Sequence, residues 1–186
     1  MNWRERIQQI TLTPEMTQGE YICRCADKLG IEPRYIVEIG SYRGATAMVF
    51  RSWFPSAKLI MVDPWTHKIG DSRDSIAEWE NIYSRVCDEF AGDIGTFPLR
   101  CHSALASCYC PDGIDILYVN GVHTYEGVMS DLTHWLPKMR KPSIVAGYDD
   151  RYSEAFEPIW EAVDETLGAT NVWLGPTQTW IHYHDL

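Results

Sequence analysis

The feature that most constrains this chain is a set of short apolar runs with little polar alternation. They are "RYIVEIG" (34–40), "KLIMVDP" (58–64), "DILYVNG" (115–121) and "SIVAGYDD" (143–150). A strand with one wet face alternates apolar and polar residues, whereas one buried on both faces reads as a near-continuous apolar run. These runs are rich in Val and Ile and end in Gly or Asp, so they predict buried strands. "FPLRCH" (97–102) predicts a further strand, placed at an edge because Pro98 cannot donate to a ladder.

Helical patterns lie between the runs. Residues 3–30 predict helix, with a second segment opening at Pro14 and stopping at Gly30. "ATAMVFRSWF" (45–54) is a helix closed by Pro55. "SIAEWENIYSRVCDEF" (75–90) is another, with Ile76, Trp79, Ile82, Tyr83 and Val86 on one face. "SALASCY" (103–109), "TYEGVMSDLTHWLPKM" (124–139) and "EAFEPIWEAVDETL" (154–167) follow, the last ended by Gly168 and kinked at Pro158. "NVWLG" and "QTWIHYH" are short strands divided by Gly175-Pro176. The alternation predicts an α/β fold: a mostly parallel, seven-stranded, Rossmann-like sheet, helices on both faces, and an antiparallel C-terminal hairpin. A length of 186 residues suits one domain, with 1–30 as a helical N-terminal cap and 31–186 as the α/β core.

Charge narrows the function. A net charge of -10 argues against nucleic acid as the partner, because such affinity comes from Lys and Arg on phosphates. No apolar stretch approaches membrane-spanning length, and "MNWRERIQQITLTPEM" lacks the apolar run of an export signal. A cytoplasmic protein with reduced cysteines is the expectation. Cys23/Cys25 and Cys108/Cys110 are C-x-C pairs, not the C-x-x-C of zinc ribbons.

The glycine loop decides between cofactors. "VEIGSYRGA" is a strand, a turn and a helix start, but Tyr42 stands where a dinucleotide loop needs its second glycine. Glu38 precedes the loop, and an acid there repels a pyrophosphate while suiting a cationic amine. Asp63 ends the next strand, where a carboxylate accepts hydrogen bonds from ribose hydroxyls. A nucleoside with a cationic tail satisfies both acids, and S-adenosylmethionine is such a molecule. The competing reading leaves Gly40 and Gly44 to the turn and Glu38 and Asp63 to solvent.

These segments together resemble the class I S-adenosylmethionine-dependent methyltransferases, and within them a bacterial and phage subgroup of small O-methyltransferase-like proteins. "VEIGSYRGATA", "LIMVDPW", "CHSALA", "DILYVNGVHTYEGVMSDLTHWLPKM" and "SIVAGYDD" carry the resemblance over about Tyr35 to Asp150. It implies that Glu38, Gly40, Ser41 and Gly44 hold the methionine part of the cofactor and that Asp63 binds ribose. Ser103 would lie along the adenine, or alternatively cap the helix that follows. Asn120 would border the cofactor at the end of the fourth strand.

The chain departs from the family at the reacting end. Asn120 and Val122 replace acids, Tyr148 replaces a His, and paired glycines before the fifth strand are missing. Relatives of the catechol enzymes hold magnesium at these strand ends with two acids and an amide. Asn120, Asp149 and Asp150 offer the same ligand types with places exchanged; the bland alternative is a solvated loop or a helix cap. His123 is the candidate general base, because a neutral imidazole accepts a proton near neutral pH, and Asp149 and Asp150 would orient the acceptor, directly or through a cation. His123 has an alternative role in ordering its loop. His182 and His184 are read as structural.

The expected activity is methyl transfer to an oxygen of a small molecule, in an open cleft or one completed by a second copy of the chain. A non-catalytic cofactor binder on the same scaffold is the rival, and a dehydrogenase is disfavoured by Tyr42. Trp65, Trp79 and Trp135 are candidates for the cleft wall, with core packing the alternative for each.

Overall fold

The computed structural model describes residues 2–66, 75–148 and 156–185. Seven strands form one sheet: β1 (Tyr35–Ile39), β2 (Lys58–Asp63), β3 (Thr96–Arg100), β4 (Ile114–Val119), β5 (Met139–Tyr148), β6 (Val172–Leu174) and β7 (Thr179–His184). Their order is β3-β2-β1-β4-β5-β7-β6. β1 to β5 run parallel, and β7 is antiparallel to both β5 and β6. The α/β sheet and the antiparallel final pair are therefore as the sequence predicts.

The helices are α1 (Trp3–Ile7), α2 (Gln18–Leu29), α3 (Ala45–Trp53), α4 (Ile76–Phe90), α5 (Ser103–Ser107), α6 (Tyr125–Trp135) and α7 (Phe156–Leu167). They cover both faces of the sheet. On one face Ile36, Tyr118, Ile144, Ala146 and Ile181 pack with α2, α3 and α4. On the other Val37, Ile39, Val62, Leu117 and Val145 pack with α5, α6 and α7. Successive side chains of a strand point to opposite faces, so two covered faces require the unbroken apolar runs.

Several boundaries differ from expectation for identifiable reasons. α2 opens at Gln18, not at Pro14, because Thr17 caps it: the Thr17 hydroxyl accepts from Glu20 N (3.2 Å), and the Glu20 carboxylate accepts from Thr17 N (3.0 Å). α6 ends at Trp135 and passes into a 3-10 turn, Leu136–Lys138, because Pro137 has no N–H to continue the α-helical ladder. Pro158 lies in the first described turn of α7. Ile76, expected on the buried face of α4, is 69% exposed; Ile82, Val86 and Phe90 carry that face.

β3 is at an edge, as Pro98 predicts. Gly95 O accepts from Leu59 N and Asp63 O accepts from Cys101 N, so odd-numbered residues of β3 face β2. Pro98 then points outward, where its missing N–H costs no ladder bond and blunts the free edge. In the centre of the sheet, at the N-terminal ends of β1 and β4, the buried Asp115 carboxylate accepts from Arg34 N (2.7 Å) and Tyr35 N (2.8 Å) and pairs with Arg140. No helix among the described residues is long and apolar enough to cross a membrane.

Candidate functional site

The strand order reverses between β1 and β4, and parallel sheets bind ligands where such a reversal opens a crevice at the strand ends. Here the two ends touch. Asn120 N donates to Ile39 O (2.8 Å), and a side chain on Gly40 would begin 2.0 Å from Asn120 O. Gly40 also has φ +82°, so both space and backbone demand glycine. A cavity of about 630 Å³ opens beside this contact.

At the end of β2, Asp63 is 8% exposed and on the cavity wall. Its carboxylate accepts from Tyr42 N (3.0 Å) and Trp65 N (2.7 Å). Both of those residues are left-handed, with φ +47° and +42°, and the Trp65 indole donates to Tyr42 O (2.7 Å). Asp63 thus fixes two strained residues, and they fix its carboxylate. Tyr42 meets Trp79 edge to face at 5.4 Å, and the two rings form one wall.

At the end of β4, His123 Nε2 lies 3.4 Å from Asn120 Oδ1. The imidazole stacks on Tyr148 at the end of β5, with centroids 5.0 Å apart and planes at 29°. The cavity is closed by Ser103 and Ala104 from the start of α5, and by Ser130 and Asp131 from α6.

Five residues expected in the site therefore share one cavity: Gly40, Asp63, Ser103, Asn120 and His123. Glu38, Ser41 and Gly44 do not line it. Glu38 is 1% exposed beneath the loop, on the sheet face of Tyr118, opposite to Val37 and Ile39. Burial pushes its carboxyl up to about 8, with the nearby Asp63 charge adding to the rise and hydrogen bonds to Ser41 and Thr46 opposing it. Its Oε2 is buried without a hydrogen-bond partner. Gly44 has φ +76° and starts α3 against Met61 and Phe90. Asp149 and Asp150 lie outside the described residues.

Other expectations are corrected or sharpened. Ser103 does not cap α5: His102 holds that position, and the Ser103 hydroxyl accepts from the Trp135 indole (2.8 Å). Trp79 lines the cavity, whereas Trp65 and Trp135 are fully buried core. His182 Nδ1 lies 2.9 Å from Asn171 O. All six cysteines are free, and among the described residues no group of three or more His, Cys, Asp or Glu is placed to hold a metal ion.

Asp131 was not anticipated. It belongs to the buried stripe of α6, with Val128, Leu132 and Trp135.

The geometry agrees with comparison to known proteins. Residues 37–150 match a family model described as a methyltransferase domain. A protein of Sinorhizobium fredii, y4gI, is 26% identical over 137 residues; the match covers 70% of this chain but only 15% of that relative's length. Among solved structures, the Podospora anserina methyltransferase PaMTH1, with S-adenosylhomocysteine bound, superposes with a TM-score of 0.62 at 12% identity, covering 98% of this chain and 86% of that one. The O-methyltransferase NovP gives 0.67 at 17% identity, covering 91% and 80%. CalS11, a TDP-rhamnose 3'-O-methyltransferase of calicheamicin biosynthesis, gives 0.57 at 16%, covering 97% and 91%. Likeness at these identities speaks for the fold, and the family match covers most of the chain. The chain belongs to the methyltransferase domain family, on the fold of the class I S-adenosylmethionine-dependent enzymes.

Proposed function

We propose that the chain transfers a methyl group from S-adenosylmethionine to an oxygen of a small molecule. The observation that carries this reading is Asp63: a buried carboxylate held by two backbone N–H groups on the wall of a cavity at the β1–β4 reversal. Such a carboxylate is preorganised to accept from a ribose diol. The family match and the O-methyltransferase fold neighbours support the same assignment.

The cofactor supplies the reactive methyl group, so the protein's part is positioning and proton transfer. Gly40 lets the backbone approach the ligand between the ends of β1 and β4. His123, with Nε2 3.4 Å from Asn120 Oδ1, is the imidazole that accepts the hydroxyl proton of the acceptor. Tyr148 holds the imidazole plane by stacking. Ser41 and Gly44 shape the loop that faces the methionine part, and Glu38 acts on it from beneath rather than by direct contact. Of the ligands considered for magnesium, Asn120 is on the cavity wall. Asp149 and Asp150 lie outside the described residues, and no step here passes through a metal.

A second reading, a cofactor binder without turnover, is favoured by one observation: the residue beside His123 is the neutral Asn120. Calorimetric titration with S-adenosylmethionine and S-adenosylhomocysteine tests both. Binding of either is expected, and absence of both sinks the cofactor assignment. Binding without methyl transfer to any of a panel of phenols and sugars leaves the second reading standing.

A further inference from the structure

One cation reaches the back of the site from the edge strand. Arg100 ends β3 and is in register with Asp63, the last residue of β2. A guanidinium offers five N–H donors in a rigid planar fork. Here the fork spans two elements. Nε donates to Pro64 O (3.3 Å) and Nη2 to Trp65 O (3.0 Å). Nη1 donates to the Glu80 carboxylate of α4 (2.8 Å), which also accepts from Nη2. The flat face of the same group lies over the Tyr83 ring, 4.9 Å from its centroid, and Tyr83 meets the Trp65 ring at 5.0 Å. Arg100 does not line the cavity, but Asp63 and Pro64 do.

The consequence lies in one peptide group. The Pro64–Trp65 peptide is trans, so its C=O and N–H point in opposite directions from one rigid plane. Arg100 Nε holds the oxygen, and Asp63 Oδ1 accepts from the nitrogen (2.7 Å). Trp65 is left-handed, a conformation that a bulky residue keeps only where its surroundings over-determine it. A charged donor on the carbonyl also polarises the peptide and strengthens its N–H as a donor to the carboxylate. Without Arg100 the peptide is freer to turn, and Asp63 loses the hold of one of the two N–H groups that orient it.

We infer that Arg100, braced by Glu80, is a positioning residue for Asp63: it fixes the Pro64–Trp65 peptide, whose N–H aims the carboxylate that takes the ribose hydroxyls. This rests on the proposed reading of Asp63 as the ribose acceptor. An ordinary surface ion pair explains less of the arrangement. Such a pair needs only its two charges and contributes little, whereas Arg100 directs two of its nitrogens to the backbone carbonyls of the two residues after Asp63.

The test is calorimetry with S-adenosylhomocysteine and its dideoxy analogue, which lacks both ribose hydroxyls. Wild type is expected to prefer the natural compound by roughly 10- to 100-fold. Arg100→Met keeps an apolar stem against Tyr83 and removes every donor. It is expected to weaken S-adenosylhomocysteine by about 5- to 20-fold and to leave the analogue within about twofold of wild type. A role confined to packing α4 on the sheet would weaken both compounds alike, and that outcome overturns the inference. In Asp63→Ala the further change Arg100→Met should weaken binding no more, because the two residues act in series; additive losses also overturn it. Glu80→Gln is the second variant, at a side chain 58% exposed where substitution spares the fold. It should lower the preference by about threefold. An unchanged preference in folded Arg100→Met, or in Glu80→Gln where Arg100→Met does not fold, overturns the clamp. Equal affinity of wild type for the two compounds removes Asp63 as the ribose acceptor, and failure to bind either removes the cofactor assignment; the role of Arg100 falls with each. A wild-type preference that the variants lose unselectively, or keep, refutes Arg100 alone.

Discussion

Glu38 has a consequence measurable without any ligand. Its carboxyl is raised from 4.5 to about 8 by burial. Below about pH 4.5 native and unfolded chains both hold the proton. Between there and about pH 8 the unfolded chain releases it and the native chain keeps it, so stability falls as pH rises through that window and then levels off. The effect is on the order of 4 kcal/mol. Urea unfolding at about pH 5 and about pH 8 is expected to show this loss in wild type and to show it much reduced in Glu38→Gln; an equal loss in both would show that Glu38 is not the group responsible. Asp63 holds its loop by accepting from Tyr42 N and Trp65 N, and in the proposed function it also takes the ribose. Asp63→Ala should cost roughly 1.5–3 kcal/mol of S-adenosylmethionine affinity, read by calorimetry on protein shown to be folded. His123→Ala should lower kcat by about 10²- to 10⁴-fold with cofactor affinity unchanged, and wild-type turnover would remove His123 as the base.

Among the elements, helix starts and strand ends carry the information. The start of α2 is legible in Thr17-Gln18-Gly19-Glu20, a T-x-x-E pattern whose reciprocal hydrogen bonds outweigh the nearby Pro14. Thr17→Ala should cost about 1 kcal/mol of stability, measured by thermal or urea unfolding. The loop after β1 is more demanding. Gly40→Ala meets Asn120 O and a positive φ at once, so a loss of ~2–4 kcal/mol is expected, with the β1–β4 contact as the part that yields. β3 was legible as an edge from Pro98 alone, since a central strand cannot spare the donor. The buried side of α4 was less so. Its apolar residues satisfy a helical period from Ile76 onward, but Ile76 is exposed, Trp79 and Tyr83 are partly buried, and Ile82, Val86 and Phe90 are the residues fully in the core.

For the whole molecule, the proposed function links folding to ligand capture, because the cavity is made of strand ends that exist only when the sheet is closed. S-adenosylhomocysteine at about 100 times its Kd should therefore raise unfolding free energy by about 2.7 kcal/mol, read as a shift in the unfolding midpoint. The sequence by itself determined the strands and the residues at their ends, since burial on both faces writes a local, near-continuous apolar run and the run stops where the sheet stops. That is why Gly40, Asp63 and Asn120 could be named as neighbours at the strand ends, where they line one cavity. Only the tertiary structure decided which acids meet the cavity. Glu38 is next to the glycine loop in sequence, yet strand alternation turns it to the opposite face and the helices seal it there. Asp131 is remote in sequence, yet α6 folds back and sets it against Gly121 on the cavity wall. Which side of a sheet a residue faces, and what a returning helix brings to it, depend on contacts between segments, and no local pattern encodes them.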